Sequence, residues 1–381
     1  MSKWEKVRLG DVATYINGFA FKPSDWKKEG LPIVRIQNLN NEDAEFNYTD
    51  KAVDCKHLID DGDVLISWSA SLGVYIWNRG KALLNQHIFK VVFDKREVDK
   101  TYFTFAIMRI LDEIARKTHG STMKHITKTH FDNTLIPLPP IDIQTQIARK
   151  LSVVSELLTL QKSQLEKMDQ LIKSVFFEMF GDPVLNDRGW KKGIIGDLAK
   201  SINYGTSQKA STEPKGIPIL RMNNITYQGS IDYSDLKYIA LNETDKKKYL
   251  VHKGELLFNR TNSRELVGKT AVYKRDEPMA FAGYLIRLVP NEKANSEYIS
   301  GYLNSSRGKK ILYGMAKNIV GMANINAKEF SSIPIPMPPV SLQNKYADIV
   351  SKIEEQKSLV KQSIDETQRL FDSLMSKYFD D

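Results

Sequence analysis

The sequence predicts an α+β protein with two homologous globular domains in tandem, separated by two long helices that form an antiparallel coiled coil with internal pseudo-two-fold symmetry. Three observations carry this. The chain repeats itself once. Each copy opens with about 135 residues rich in short β-type runs. Each copy then closes with a stretch free of Pro and Gly whose apolar residues keep heptad spacing.

The repeat is legible residue by residue. Trp4-Glu5-Lys6-Val7-Arg8-Leu9-Gly10-Asp11 returns as Trp190-Lys191-Lys192-Gly193-Ile194-Ile195-Gly196-Asp197, and Gly30-Leu31-Pro32-Ile33-Val34-Arg35 returns as Gly216-Ile217-Pro218-Ile219-Leu220-Arg221, both offset by 186. Gly62-Asp63-Val64-Leu65-Ile66-Ser67 matches Gly254-Glu255-Leu256-Leu257-Phe258-Asn259 at an offset of 192, and Ile136-Pro137-Leu138-Pro139-Pro140 matches Ile335-Pro336-Met337-Pro338-Pro339 at 199. The organisation expected is a globular domain over 1–136, a long helix over 137–182, a second domain over 183–335 and a second long helix over 336–381.

Within the first domain, Leu31–Ile36, Asp63–Trp68, Val74–Trp77 and His87–Phe93 read as strands. Asn17-Gly18, Asp61-Gly62-Asp63 and Arg79-Gly80 punctuate them as turns, and the segment around Tyr102–Ile114 reads as a helix. The first long helix carries a seam through Leu151, Val154, Leu158, Leu165, Met168 and Val175. The second repeats it through Val350, Ile353, Val360, Ile364, Phe371 and Leu374. Forty residues of helix make a rod of roughly 60 Å. If the second helix runs back along the first, both span the same gap and the molecule is a dumbbell; if it runs parallel, it points into solvent.

Composition narrows the function. The chain has 55 basic and 46 acidic residues, a net charge of +9, which biases a folded protein toward polyanions. One cysteine, Cys55, excludes an intramolecular disulfide framework and suits a reducing cytoplasm. No run of about 18 apolar residues supports a membrane span. Catalytic constellations are missing. Val267-Gly268-Lys269-Thr270 resembles the tail of a P-loop, but Ser263 stands where its first glycine belongs, so it reads as a turn. The histidines lack a metalloprotease spacing, and His119, His125 and His130 share one basic stretch. No catalytic or metal-binding residues are assigned. What differs between the copies lies in loops: Ser67-Trp68-Ser69-Ala70-Ser71 faces Asn259-Arg260-Thr261-Asn262-Ser263-Arg264. Like scaffolds with unlike loops read as two binding modules of different specificity.

The ordered motifs resemble those of the specificity (S) subunits of type I restriction–modification systems. They are Trp-x5-Gly-Asp at both module starts and Gly-hydrophobic-Pro-hydrophobic2-Arg at Arg35 and Arg221. They continue with Gly-Asp/Glu-hydrophobic3 at 62–66 and 254–258, Gly120-Ser121-Thr122-Met123-Lys124-His125-Ile126, and Ile-Pro-hydrophobic-Pro-Pro-x3-Gln ending at Gln144 and Gln343. The second copy departs from the Gly-Ser-Thr-Met-Lys pattern, reading Ile319-Val320-Gly321-Met322-Ala323-Asn324. The resemblance covers the whole chain. It implies two target recognition domains, each reading one half of a bipartite asymmetric site on double-stranded DNA. A coiled coil would set the spacing, and the chain would be a non-catalytic scaffold for its partners. Those partners are two modification subunits that methylate adenine with S-adenosylmethionine, and restriction subunits that use ATP and Mg. No cofactor is expected on this chain itself.

DNA recognition divides into phosphate contacts that position and base contacts that specify. Phosphate candidates are Lys22, Lys124 and Lys128 in the first module and Lys209, Lys269 and Lys317 in the second. Candidates for base edges are Trp68, Ser69, Ser71 and His125, and Arg260, Asn262 and Arg264, since Arg pairs with guanine and Asn with adenine. Arg35 and Arg221 recur in both copies, which predicts a shared structural or phosphate role. Two alternatives stay open at this point: a stand-alone two-headed DNA-binding or architectural protein without enzyme partners, and a phosphodiesterase or nuclease with an unrecognised site.

Overall fold

The computed structural model describes residues 4–69, 71–117, 128–183, 185–319 and 322–380. The chain divides into two compact units, 1–161 with 363–381, and 162–362. The division falls inside both long helices, Ile141–Phe180 and Val340–Phe379, so each unit holds one β-rich module and part of each helix.

The two modules repeat one topology. In the first, strands Thr14–Asn17, Ile88–Val92, Val64–Ser67 and Gly73–Ile76 form an antiparallel sheet in that spatial order. A second sheet orders Asn47–Thr49, Leu31–Val34, Ala82–Leu84 and Leu58–Ile59, with its central pair parallel. The second module repeats both orders. One sheet holds Ala199–Tyr204, Leu285–Pro290, Leu256–Asn259 and Thr270–Val272, and the other Lys237–Ile239, Ile217–Leu220, Met279–Phe281 and Leu250–Val251. The cores take in apolar runs read from the sequence, with Val64, Ile66, Phe89 and Phe103 in one module and Leu256 and Phe258 in the other, where Ile286 and Leu288 join them. The helix expected around Tyr102–Ile114 spans Lys100–Lys117.

The repeated Gly-x-Pro motif has a backbone cause. Gly30 and Gly216 open the equivalent strands with φ of +124° and +104°. A Cβ on either would sit 2.2 Å from the Thr49 oxygen or 2.5 Å from the Ile239 oxygen, so only glycine fits.

The Pro-rich stop and the glutamine after it fasten each long helix to its module. Tyr102 donates its hydroxyl to the Pro137 carbonyl at 2.8 Å, and Tyr298 donates to Pro336 at 2.7 Å. Gln144 donates to the Pro139 carbonyl and its own oxygen accepts from the Asp99 N–H. Gln343 repeats the pattern with Pro338 and Asn295. These buried side chains give the proline carbonyls that precede each long helix their hydrogen-bond partners.

Helix pairing is antiparallel in each unit. In the first, Ile147 and Leu151 near the start of one helix pack with Phe371 and Met375 near the end of the other. In the second, Phe176 and Phe180 at the end of the first helix pack with Tyr346 and Val350 at the start of the second. The expected seam faces inward: Leu151 and Leu158 are buried, and Val154, Leu165, Met168 and Val175 are half-buried. Val350 is buried and Ile353, Val360, Ile364, Phe371 and Leu374 are half-buried. Three polar residues take seam positions with partners. Gln161 donates to Ser363 and Thr367 at 2.8 and 3.2 Å, and Lys357, only 5% exposed, reaches Asp169 at 2.6 Å and Glu354 at 2.8 Å. Burial works to lower the Lys357 pKa, and those two hydrogen bonds more than offset it, so the ammonium is held charged.

Candidate nucleic-acid interface

In the second module the fold joins two loops that are distant in sequence. Strand Thr261–Asn262 pairs with Met322–Asn324, which pairs in turn with Lys317–Ile319, making a small three-stranded sheet. Thus the loop that distinguishes this module, 259–264, lies beside the segment where it departs from the Gly-Ser-Thr-Met-Lys pattern. Tyr284 and Met322 are 51% and 41% exposed.

The candidates here are held to different degrees. Arg260 stacks over the Tyr204 ring at 4.8 Å and donates to Asn324 Oδ1 at 3.1 Å, and Asn324 in turn donates to Thr261 Oγ1 at 3.0 Å. Arg264 lies over Tyr313 at 4.2 Å, and its buried Nε has no hydrogen-bond partner. Asn262 is half-buried; its Oδ1 accepts from the Ser263 N–H, leaving the side-chain NH2 as donor. Lys209 is exposed on the loop after Thr206. For Lys317 the backbone strand is described and the side chain is not.

Lys269 needs correcting. It is 8% exposed, its Nζ donates to the Met222 carbonyl at 3.1 Å, and burial lowers its pKa. An ammonium so engaged is an internal brace and not an open phosphate contact. The P-loop-like run containing it is a turn, with Thr270 Oγ1 donating to the Gly268 carbonyl.

The first module differs. Lys22 is exposed at a short helical turn, and Lys128 is exposed at the start of Lys128–Asp132. Trp68 stacks on Phe89 at 5.6 Å and meets His87 edge-on, so its ring is packed against the core. Ser69 is 7% exposed, and the carbonyls of Ser69 and Ser71 both accept from the buried Ser67 hydroxyl. Trp68 and Ser69 therefore shape this loop from within, contrary to their reading as base-contacting residues, and Ser71 turns its carbonyl inward while remaining half-buried. Lys124 and His125 lie outside the described residues.

Arg35 and Arg221 each make an intramolecular side-chain contact. Arg35 donates to Asn47 Oδ1 at 3.2 Å, and Arg221 donates to the Asp235 carboxylate at 2.7 Å. Each tethers the strand adjoining its own. The residues that sequence reasoning missed stand three positions on. Asn38 and Asn224 are buried; each accepts from the N–H of its arginine and donates to two loop carbonyls, Ala44 and Glu45 or Asp232 and Asp235. Their recurrence inside the repeated motif was the available signal. His87, held at a φ of 74° beside Trp68, was also missed, and nothing in its local sequence marks it.

Among the described residues no cluster of three or more His, Cys, Asp or Glu is placed to hold a metal, and no helix is long and apolar enough to cross a membrane.

Two copies of one scaffold with unlike loops define a two-module binding protein. The family profile described as the type I restriction modification DNA specificity domain matches residues 1–170 and again 187–369. The chain belongs to this family of type I DNA specificity proteins. It is 23% identical over 382 residues to the type I restriction enzyme EcoBI specificity subunit of Escherichia coli, covering 92% of this chain and 79% of that one. It is 25% identical over 377 residues to the MjaVIII specificity subunit of Methanocaldococcus jannaschii, covering 92% and 86%. A solved S subunit of a type I restriction–modification system from M. genitalium shares the fold, with a TM-score of 0.58 at 17% identity over 100% of this chain and 97% of the other.

Proposed function

We propose that this chain is the non-catalytic DNA-reading subunit of a type I restriction–modification complex and that each module reads one half of a bipartite, asymmetric site in double-stranded DNA. The observation that carries this reading is the repeat itself: the same strand orders in the paired four-stranded sheets of both modules, with unlike loops at 67–71 and 259–264. Recognising two unlike half-sites calls for that division of constant scaffold and variable edge. In the second module Arg264 and Asn262 offer donors for base edges, while Lys209 supplies a sequence-independent phosphate contact. The modification subunits, using S-adenosylmethionine, and the restriction subunits, using ATP and Mg, would carry the chemistry in the cytoplasm, and the long helices would be their scaffold.

The test is a segment exchange. Asn259 is fully buried with its Oδ1 accepting from the Thr261 N–H, so the exchange starts after it. Replacing Arg260–Arg264 with the first-module sequence, in the complex with modification subunits, should alter one half-site in methylation sequencing and leave the other intact. A change in both half-sites would refute the modular reading.

A further inference from the structure

One cavity of about 630 Å³ lies wholly within the second unit. Its walls come from the end of the first long helix, the start of the second, helices Ser296–Asn304 and Ser306–Met315, and the turn at Tyr227–Gly229. The volume is within the range of roughly 300–1,000 Å³ typical of small-molecule sites. Phe177 and Tyr227, 55% and 51% exposed, provide open aromatic surface.

The charges lining it do not balance locally. Asp169 and Glu354 are both engaged by Lys357, Glu297 pairs with Lys274 at 3.0 Å, and Asp182 is the fourth carboxylate. Lys309 has none of them: its Nζ is buried, has no hydrogen-bond partner, and lies 5.0 Å from the Tyr227 ring centroid. A buried ammonium without a hydrogen bond is costly. Burial, together with the cations Lys269 and Lys173, depresses its pKa to about 8. Lys310 and Arg307 line the same cavity from within a ten-residue helix, Arg307 in its first turn, whose cap, Ser305, accepts from Gly308 N–H. The N–H groups of Ser306 and Arg307 in that turn have no intrahelical acceptor, as at any helix start.

We propose that this cavity binds a small phosphate-bearing aromatic molecule of the nucleoside phosphate class, its phosphate at Lys309, Lys173 and the first turn of Ser306–Met315, its ring against Phe177 and Tyr227. An anion there supplies the partner that Lys309 lacks, and the aromatic walls take the base.

The pH dependence has a definite sign. Lys309 is cationic below about 8 and loses its proton above it, so affinity falls as pH rises through that value. The charged groups facing it are Lys173, Lys269, Lys310 and Arg307, with Glu354 and Asp169 held by Lys357.

Calorimetry on the full chain with AMP, adenosine and inorganic phosphate tests the proposal. AMP should bind at least tenfold more tightly than either fragment, and binding should weaken at least tenfold between pH 7 and pH 9.5. Lys309→Met, which keeps the stem and removes the charge, should retain or raise the melting temperature while abolishing the shift that AMP produces. Lys215→Ala, at an exposed lysine outside the cavity, should leave binding unchanged. Absence of AMP binding at millimolar concentration, or equal binding by folded Lys309→Met, overturns the proposal. Equal affinity for phosphate and AMP overturns the base-binding half. If a DNA duplex protects Lys309 from acylation and AMP does not, the cavity serves the DNA backbone and the proposal fails.

Discussion

At the scale of single residues, the molecule separates side chains that build the loops from those left available to a partner. Asn38 and Asn224 each hold three backbone groups, so Asn224→Ala should lower stability by about 1–3 kcal/mol by stranding buried donors and acceptors. Urea unfolding of the full chain would measure this. Asn38→Ala should behave alike, because its contacts are the same. Arg264 is different: stacked on Tyr313, its guanidinium is pre-oriented while its Nε lacks a partner. On the proposed function, Arg264→Ala should cost about 1–3 kcal/mol at one base position and relax recognition there. Lys209→Ala should instead weaken binding to every sequence and reduce the salt slope by about one. Titrations of the assembled complex against single-base variants at several salt concentrations separate the two effects.

Among elements, the long helices show where a heptad seam admits polarity. Lys357 occupies a seam position and is neutralised by Asp169 from the facing helix and Glu354 from its own. Replacing such a buried pair by an apolar side chain is often neutral or stabilising by about 1–4 kcal/mol. Lys357→Met combined with Asp169→Leu and Glu354→Leu, which replaces the whole cluster, should therefore hold or raise the urea midpoint, whereas Asp169→Ala alone, which leaves the buried lysine with one carboxylate, should lower it. If both variants lose stability equally, the cluster contributes packing that the apolar side chains cannot replace. A polar seam residue is also a register device, so a loss of pairing specificity in the triple variant, visible as altered oligomeric state on sizing chromatography, is the expected counterpart.

For the molecule as a whole, the proposed reading makes the long helices a ruler between half-sites. The division between units passes at Gln161/Lys162 and Gln362/Ser363. Four residues inserted after Ser163 and four after Gln362 would extend both helices by about 6 Å and add a stutter to each. At about 3.4 Å per base pair, the half-sites in methylation sequencing should move apart by roughly one or two base pairs with their sequences unchanged. Unchanged spacing from a variant that circular dichroism shows to be helical would assign the gap to the partner subunits or to DNA bending.

The repeat, the strand-forming runs, the Gly-x-Pro motif and the heptad seam were all legible in the sequence, because backbone geometry and burial periodicity are properties of neighbouring residues. Gly30 and Gly216 announce a positive φ, and Leu151 and Leu158 announce a buried face, before any long-range contact is known. The roles of polar side chains could not be read that way. Lys269 and Lys209 are both lysines in loops, yet one braces the Met222 carbonyl and the other is exposed. Trp68 resembles a base-stacking residue until Phe89, twenty-one positions on, covers it. The meeting of 261–262 with 317–324, and the isolation of Lys309 in its cavity, likewise arise from segments distant along the chain. A polar group is defined by what satisfies it, and that partner is chosen by tertiary packing, which local sequence does not encode.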